Sequence, residues 1–311
     1  MTDFSPENRR NALWSTEAAA ALGVSRYKTP VKLWAIKRGM EEEDDIADKF
    51  AVRLGLAMQA PMAKLHTEDT GDKLVPLATV EHRVTLNDAP LGAHYDEYNE
   101  TRKALHEIKF FGERRRKDFG EPGTDEIPMD VLVQVLHQQS VWLKQGSQPI
   151  GGTEINVAFG NRERLVFYVA VDTETLNQLA LRLSEFWKSV TDGVSPLARS
   201  VDDLLTLFPQ SKKGTKIVAN EIVEAACRRL AALRAAVDEC EERIGEHRLA
   251  ILGHMKDADD LLSMNGGRTL ATWRTAAGAV KIDTEKLRAE QPAIAQQYSK
   301  AGAPTRRFLL K

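Results

Sequence analysis

The stretch LGAHYDEYNETRKALHEIKFFG, Leu91 to Gly112, sets Asp96 eleven residues ahead of Glu107-Ile108-Lys109, which lies in an otherwise apolar run. A half-buried strand points alternate side chains to opposite faces, so Glu107 and Lys109 share one face and Ile108 takes the other. Acids gathered in such a place cost desolvation energy unless something compensates them. A divalent cation facing two carboxylates is the commonest compensation.

Working outward, Leu74 to Phe111 is divided by Asn and Pro into short alternating or apolar runs, KLVPLATVEHRVTL, PLGAHYD and KALHEIKFF, which predict strands. Before them, STEAAAALGVSRYKTPVKLWAIKRG predicts a helix capped by Ser15 or Thr16 and stopped by Gly23, then a second helix opened by Pro30. A third helical stretch carries Ile46, Phe50, Leu54 and Met58 at four-residue spacing, with Pro61 expected to kink or restart it and Gly71 to end it. After the acids come a helix from Pro128 to about Lys144, two strands (EINVAFG and ERLVFYVAVD) and a helix, TETLNQLALRLSEFWKSVTDG. Helices, strands, and a helix crossing over to further strands predict an α/β fold, a mixed sheet flanked by helices.

The composition breaks at SPLARSVDDLLTLFPQSKKGTK, which divides the chain into domains at 1–206 and 207–311. Beyond the break, Ala226, Leu230, Leu233, Val237, Cys240 and Ile244 step by four and three residues, the apolar seam of a long helix that packs on another helix and places Cys240 in a core. After Gly266 and Gly267 come strand-like TLATWRTA and AVKID, a short helix and a basic ending, RRFLLK.

With 311 residues and 42% hydrophobic content the chain can bury a substantial core. Its 43 basic and 45 acidic residues nearly cancel, so any nucleic-acid footprint is local rather than global. Two cysteines without metal-ligand spacing exclude a zinc-finger site and a disulfide framework. Neither a signal-like segment nor an apolar stretch of about 18 residues occurs, so the expected location is the cytoplasm, with no membrane partner.

Hydrolysis of a phosphodiester needs an activated water and neutralised phosphoryl charge, which carboxylate-held divalent metals supply. Asp96, Glu107 and the carbonyl of Ile108 meet that need, and Lys109 is placed to orient the water or help deprotonate it. Alone, an Asp followed by Glu-x-Lys is equally a surface strand with an ion pair.

The surrounding text is more specific. STEAAAALGVSRYKTPVKLWAIKRG resembles the opening block of the YqaJ-type viral recombinase family, the phage alkaline exonucleases related to lambda exonuclease. RLGLAMQAPMAKLHTEDTG resembles its second block, Asp96 with Glu107-Ile108-Lys109 its third, and VLVQVLHQQSVW the glutamine-bearing helix that follows. The four blocks keep the family's order over roughly residues 9 to 190. The resemblance implies a PD-(D/E)xK restriction-endonuclease-like fold with a mainly helical C-terminal extension. It also implies magnesium dependence, with manganese able to substitute, and degradation of one strand of linear double-stranded DNA from its end, 5′ to 3′, for homologous recombination. Asp96, Glu107 and Ile108 would hold metal, Lys109 and Gln134 would act in catalysis, and Ser15 with Arg9 or Arg10 would meet the terminal phosphate. A phage- or prophage-encoded trimeric ring working with a single-strand annealing protein is implied as well.

Two positions depart from the family pattern. Gln59 stands where relatives carry a helix glutamate, so an amide that can position water replaces a carboxylate. Leu136 stands where a second glutamine is common, leaving His137 or Gln138 as its substitute. The alternatives are a catalytically weakened nuclease-fold DNA-binding protein and an endonuclease that nicks internally.

Overall fold

A computed structural model describes residues 9–77, 81–300 and 305–311. The chain divides into two compact units, Met1–Pro209 and Gln210–Lys311.

In the first unit a two-residue strand β1 (Leu13–Trp14) leads directly into helix α1 (Ser15–Ala21). Helices α2 (Pro30–Lys37) and α3 (Phe50–Thr70) follow. Strands β2 (Leu74–Pro76), β3 (Glu81–Leu86), β4 (Ala89–His94), β5 (Glu97–Asn99) and β6 (Ala104–Phe111) come next, and a 3-10 turn spans Glu113–Asp118. Helix α4 (Met129–Gln145), the hairpin β7 (Gly152–Phe159) and β8 (Glu163–Ala170), and helices α5 (Thr173–Asp192) and α6 (Val201–Leu207) complete it.

The main sheet has the order β2-β5-β6-β7-β8. Only β6 and β7 run parallel, Glu107 opposite Ile155, because α4 carries the chain back between them. Alternation divides the two faces. Leu105, Ile155, Val157 and Phe159 belong to the larger core with Val135 and Val141 of α4, while Ile108 and Ala158 pack with Met62 and Ala63 of α3. The fold is therefore a mixed α/β sheet with a helix layer on each face.

A smaller sheet, β1-β4-β3, sets Trp14 parallel to Gly92. A Cβ at Gly92 would lie 2.8 Å from the Trp14 ring, so only glycine lets the indole rest on this strand. Trp14, Trp34 and Trp142 are all buried.

Several local expectations are corrected. Ser15 is the first helical residue rather than the cap, and the Glu17 carboxylate accepts the Trp14 N–H at 3.0 Å in its place. Helix α3 begins at Phe50, leaves Ile46 and Phe50 exposed, and runs unbroken through an exposed Pro61. It buries Met62, Ala63 and His66 in its later half, and Gly71 closes it at φ +74°.

The second unit holds a 35-residue helix, α7 (Glu221–Met255), an antiparallel pair β9 (Asp260–Leu262) and β10 (Thr269–Thr272), and short helices α8 (Thr284–Glu290) and α9 (Pro292–Gln297). Cys240 is exposed, not core, and AVKID forms no strand. Among the described residues, no helix is long and apolar enough to cross a membrane.

Candidate active site

The site begins where a strand ladder ends. Pairing of β5 with β6 stops at Glu97 opposite His106, so the next β6 amide on that edge, Ile108, has no strand partner. Asp96, the residue just before β5, fills the gap: its Oδ2 accepts the Ile108 N–H at 2.8 Å. A strand residue turns its N–H and C=O to the same edge, so the Ile108 carbonyl also leaves β6 on the Asp96 side.

Alternation along β6 brings Glu107 and Lys109 to one face, and Lys109 Nζ donates to Glu107 Oε1 at 2.6 Å. Helix α4 covers this face with residues four apart. Gln134 Nε2 donates to Glu107 Oε1 at 2.7 Å while its Oε1 accepts from Lys109 Nζ at 3.1 Å. Gln138 Nε2 reaches Glu107 Oε2 at 2.8 Å and the His94 carbonyl at 3.0 Å. From the α3 side, Gln59 Nε2 donates to Asp96 Oδ1 at 2.8 Å. These groups line a cavity of about 350 Å³, whose wall also includes Arg9, Ser15 and Thr16.

Electrostatics here favour a cation. Burial and then the neighbouring Glu107 charge push Asp96 up to about 7, with Lys109 and the Ile108 amide opposing them. Burial alone would lower the Lys109 ammonium, but Glu107 and Asp96 outweigh it and hold that pKa above the usual lysine value. Two carboxylates against one ammonium leave negative charge undercompensated. Oxygen donors of carboxylate and carbonyl type suit magnesium or manganese, so the donor set fits such an ion.

The expected site residues fall as follows. Asp96, Glu107, Ile108, Lys109, Gln134 and Gln59 meet in one cavity, and Ser15 and Arg9 share its wall. Arg10 lines an adjacent cavity, with Arg9, Glu17 and Lys37. Of the two candidates to replace the second glutamine, Gln138 reaches Glu107, whereas His137 turns away and bonds the Gly92 carbonyl at 3.1 Å. Burial lowers the His137 pKa to about 4. In the 3-10 turn after β6, Arg115 is bound to Asp130 and Arg116 to Glu163, leaving Arg114 and Lys117 as its exposed cations.

Two polar clusters have no counterpart in the sequence reading. Lys37 is buried in contact with Glu17 Oε2 at 2.6 Å and with the Arg9 and Ala12 carbonyls, which ties α2 to the segment carrying Arg9. On the opposite face of the main sheet, His66, His106 and Glu154 are buried with ligand atoms within 4.8 Å of one another, a set able to hold a metal ion. The hydrogen bonds there already satisfy most of the group. Asn156 Nδ2 faces His106 Nε2 at 3.3 Å, which puts the ring proton on Nδ1 toward Glu154 Oε2 at 3.2 Å. Arg102 spans Asp72 and Glu154 at 2.6 and 3.3 Å, and Asn99 donates to both acids. His106 was legible only as a neighbour of Glu107. His66 and Glu154 carry no local signal, since only the fold brings them together.

Residues 6–141 match the model of the YqaJ-like viral recombinase domain. A Bacillus subtilis (strain 168) protein named YqaJ is 22% identical over 313 residues, spanning 97% of this chain and 92% of its own length. Among solved structures, an alkaline exonuclease from Laribacter hongkongensis is similar with TM-score 0.44 and 12% identity, covering 60% of this chain and 92% of that one. A Eubacterium rectale protein described as an exonuclease is similar with TM-score 0.45 and 11% identity, covering 72% of this chain and 96% of that one.

Proposed function

From the membership of residues 6–141 in the YqaJ-like viral recombinase family, and from the site built on β6, we propose that the chain is a metal-dependent deoxyribonuclease. In this reading it degrades one strand of linear double-stranded DNA from an end, 5′ to 3′, on a PD-(D/E)xK scaffold. The carrying observation is the convergence of Asp96, Glu107 and Lys109, with Lys109 Nζ 2.6 Å from Glu107 and Asp96 tied to Ile108.

Magnesium, or manganese in its place, would supply charge neutralisation and an activated water for phosphodiester hydrolysis. Asp96, Glu107 and the Ile108 carbonyl are the residues to hold it. Gln134 and Gln138 fix both oxygens of Glu107, so that carboxylate is oriented before substrate arrives. Lys109, held between Glu107 and Gln134, presents its ammonium to the water or the scissile phosphate. Gln59 positions water through its amide, and Ser15 with Arg9 receives the terminal phosphate. The expected setting is the host cytoplasm, with a trimeric ring around the duplex and a single-strand annealing protein as partner.

A second reading, DNA binding with weakened catalysis, draws on Gln59: an amide lies 2.8 Å from Asp96 where a carboxylate would add charge for a second cation. A time course on end-labelled linear duplex with magnesium, beside circular duplex and an Asp96→Ala chain, separates the readings. The proposal expects nucleotides released from linear DNA only, and a loss of roughly a hundredfold or more in the variant. DNA binding without release supports the second reading, and breakage of the circle indicates an internally nicking endonuclease.

A further inference from the structure

Within the second unit, helix α7 runs 35 residues, about 52 Å, and Met255 alone of its residues is buried. An apolar seam lies open along it: Val223, Leu233, Val237, Ile244 and Ile251 are all exposed, between 42% and 65%. The seam keeps heptad spacing. Val223, Leu230, Val237, Ile244 and Ile251 occupy one core position, and Ala226, Leu233, Cys240, His247 and His254 the other. A lone helix with such a stripe in water requires a cover.

We propose that a second copy of this chain provides it, with the two α7 helices pairing as an antiparallel coiled coil centred between residues 238 and 239. Layer complementarity selects this partner and direction. In the antiparallel register Val237 meets Cys240 of the other copy and Leu233 meets Ile244 in the central layers, and farther out the small Ala226 faces the large Ile251. His247 falls on Leu230, between the Leu233–Ile244 and Ala226–Ile251 layers, and His254 on Val223 at the ends, so each histidine faces an aliphatic side chain rather than another histidine. A parallel pair would set Ala226 on Ala226 and His247 on His247, leaving a void and a polar layer.

Charge selects the same direction. Flanking the antiparallel seam, Arg234 faces Glu241 of the other copy on both sides of the centre, and no like charges meet. The parallel register sets Arg229 against Arg234 and Arg243 against Arg248, a repulsion repeated on each edge.

Sedimentation equilibrium of the full chain tests the pairing, with circular dichroism verifying the helix content of every variant. Leu233→Asp should halve the assembly mass, since the α7 pair is the contact that joins the two halves. Arg234→Glu should weaken dimerisation by about tenfold or more, and Arg234→Glu with Glu241→Arg should restore it. An unchanged mass for Leu233→Asp overturns the proposal. Tighter association on Arg234→Glu alone overturns the antiparallel register, because a parallel pair would gain an Arg229–Glu attraction. The readout is mass rather than DNA degradation, so it stands apart from the proposed activity.

Discussion

Asp96 bears the electrostatic cost of the site. Burial and the Glu107 charge raise its pKa from 3.8 to about 7, so between those values the folded chain keeps a proton that the unfolded chain releases. Stability contributed by that proton is present at acid pH and lost as pH climbs toward 7. In EDTA, Asp96→Asn should therefore raise stability at pH 8, on the order of 2 kcal/mol, and change it little near pH 4, as read by thermal denaturation. A drop at pH 8 would show that the carboxylate is not the strained group. Gln59→Glu adds a third acid beside Asp96, and the account expects half-maximal DNA degradation at lower magnesium; an unchanged or higher midpoint would count against the charge argument. At this scale the strand alternation of Glu107 and Lys109 was readable directly, and Gln134 was named through the family resemblance. The choice of Gln138 over His137 was not readable, because it depends on which side of α4 meets β6. Arg9 gains its place through Lys37 and Glu17, contacts between residues far apart in the chain.

At the scale of elements, α3 and the main sheet are joined by the network around Glu154. Its carboxylate accepts from His106 and Asn99 and pairs with Arg102, and these hydrogen bonds outweigh burial to hold its pKa below the usual glutamate value. Glu154→Ala would leave His106 and Asn99 with buried donors unmet, and a loss of about 2–4 kcal/mol is expected in urea denaturation. A cost within about 0.5 kcal/mol of zero would mean that the network does not hold α3 in place. Periodicity located α3 but misjudged its buried positions. Its four-residue pattern from Ile46 onward suggested a long seam, whereas the sheet covers only Met62, Ala63 and His66, and packing decides burial over propensity. Pro61 is tolerated because it lies on the exposed side. The cap before α1 was misplaced for a similar reason: Glu17 reaches back to Trp14, and a long-range pair with Lys37 holds it there.

For the whole molecule, the two units have different characters. The first contains both sheets that build the cavity, and α6 closes it where Asp203 bonds Thr29 and the Arg199 amide. A chain ending after Pro209 should keep the DNA-degrading activity of the full chain within about threefold, whereas ending inside α6 would cut the last turn of a helix tied to α2. Loss of all activity from the 1–209 chain would make the second unit part of the catalytic apparatus. The mixed sheet with a helical crossover was legible from the order of elements. The seam of α7 was legible as a seam, but the sequence expectation that Cys240 lies in a core was not met, since Cys240 is exposed. The central claim is tested most directly by a manganese-soaked crystal measured for anomalous scattering. A peak is expected between the carboxylates of Asp96 and Glu107, within reach of the Ile108 carbonyl and absent in Asp96→Ala. Manganese bound elsewhere, for instance at His66, His106 and Glu154, with no density between Asp96 and Glu107 would contradict it.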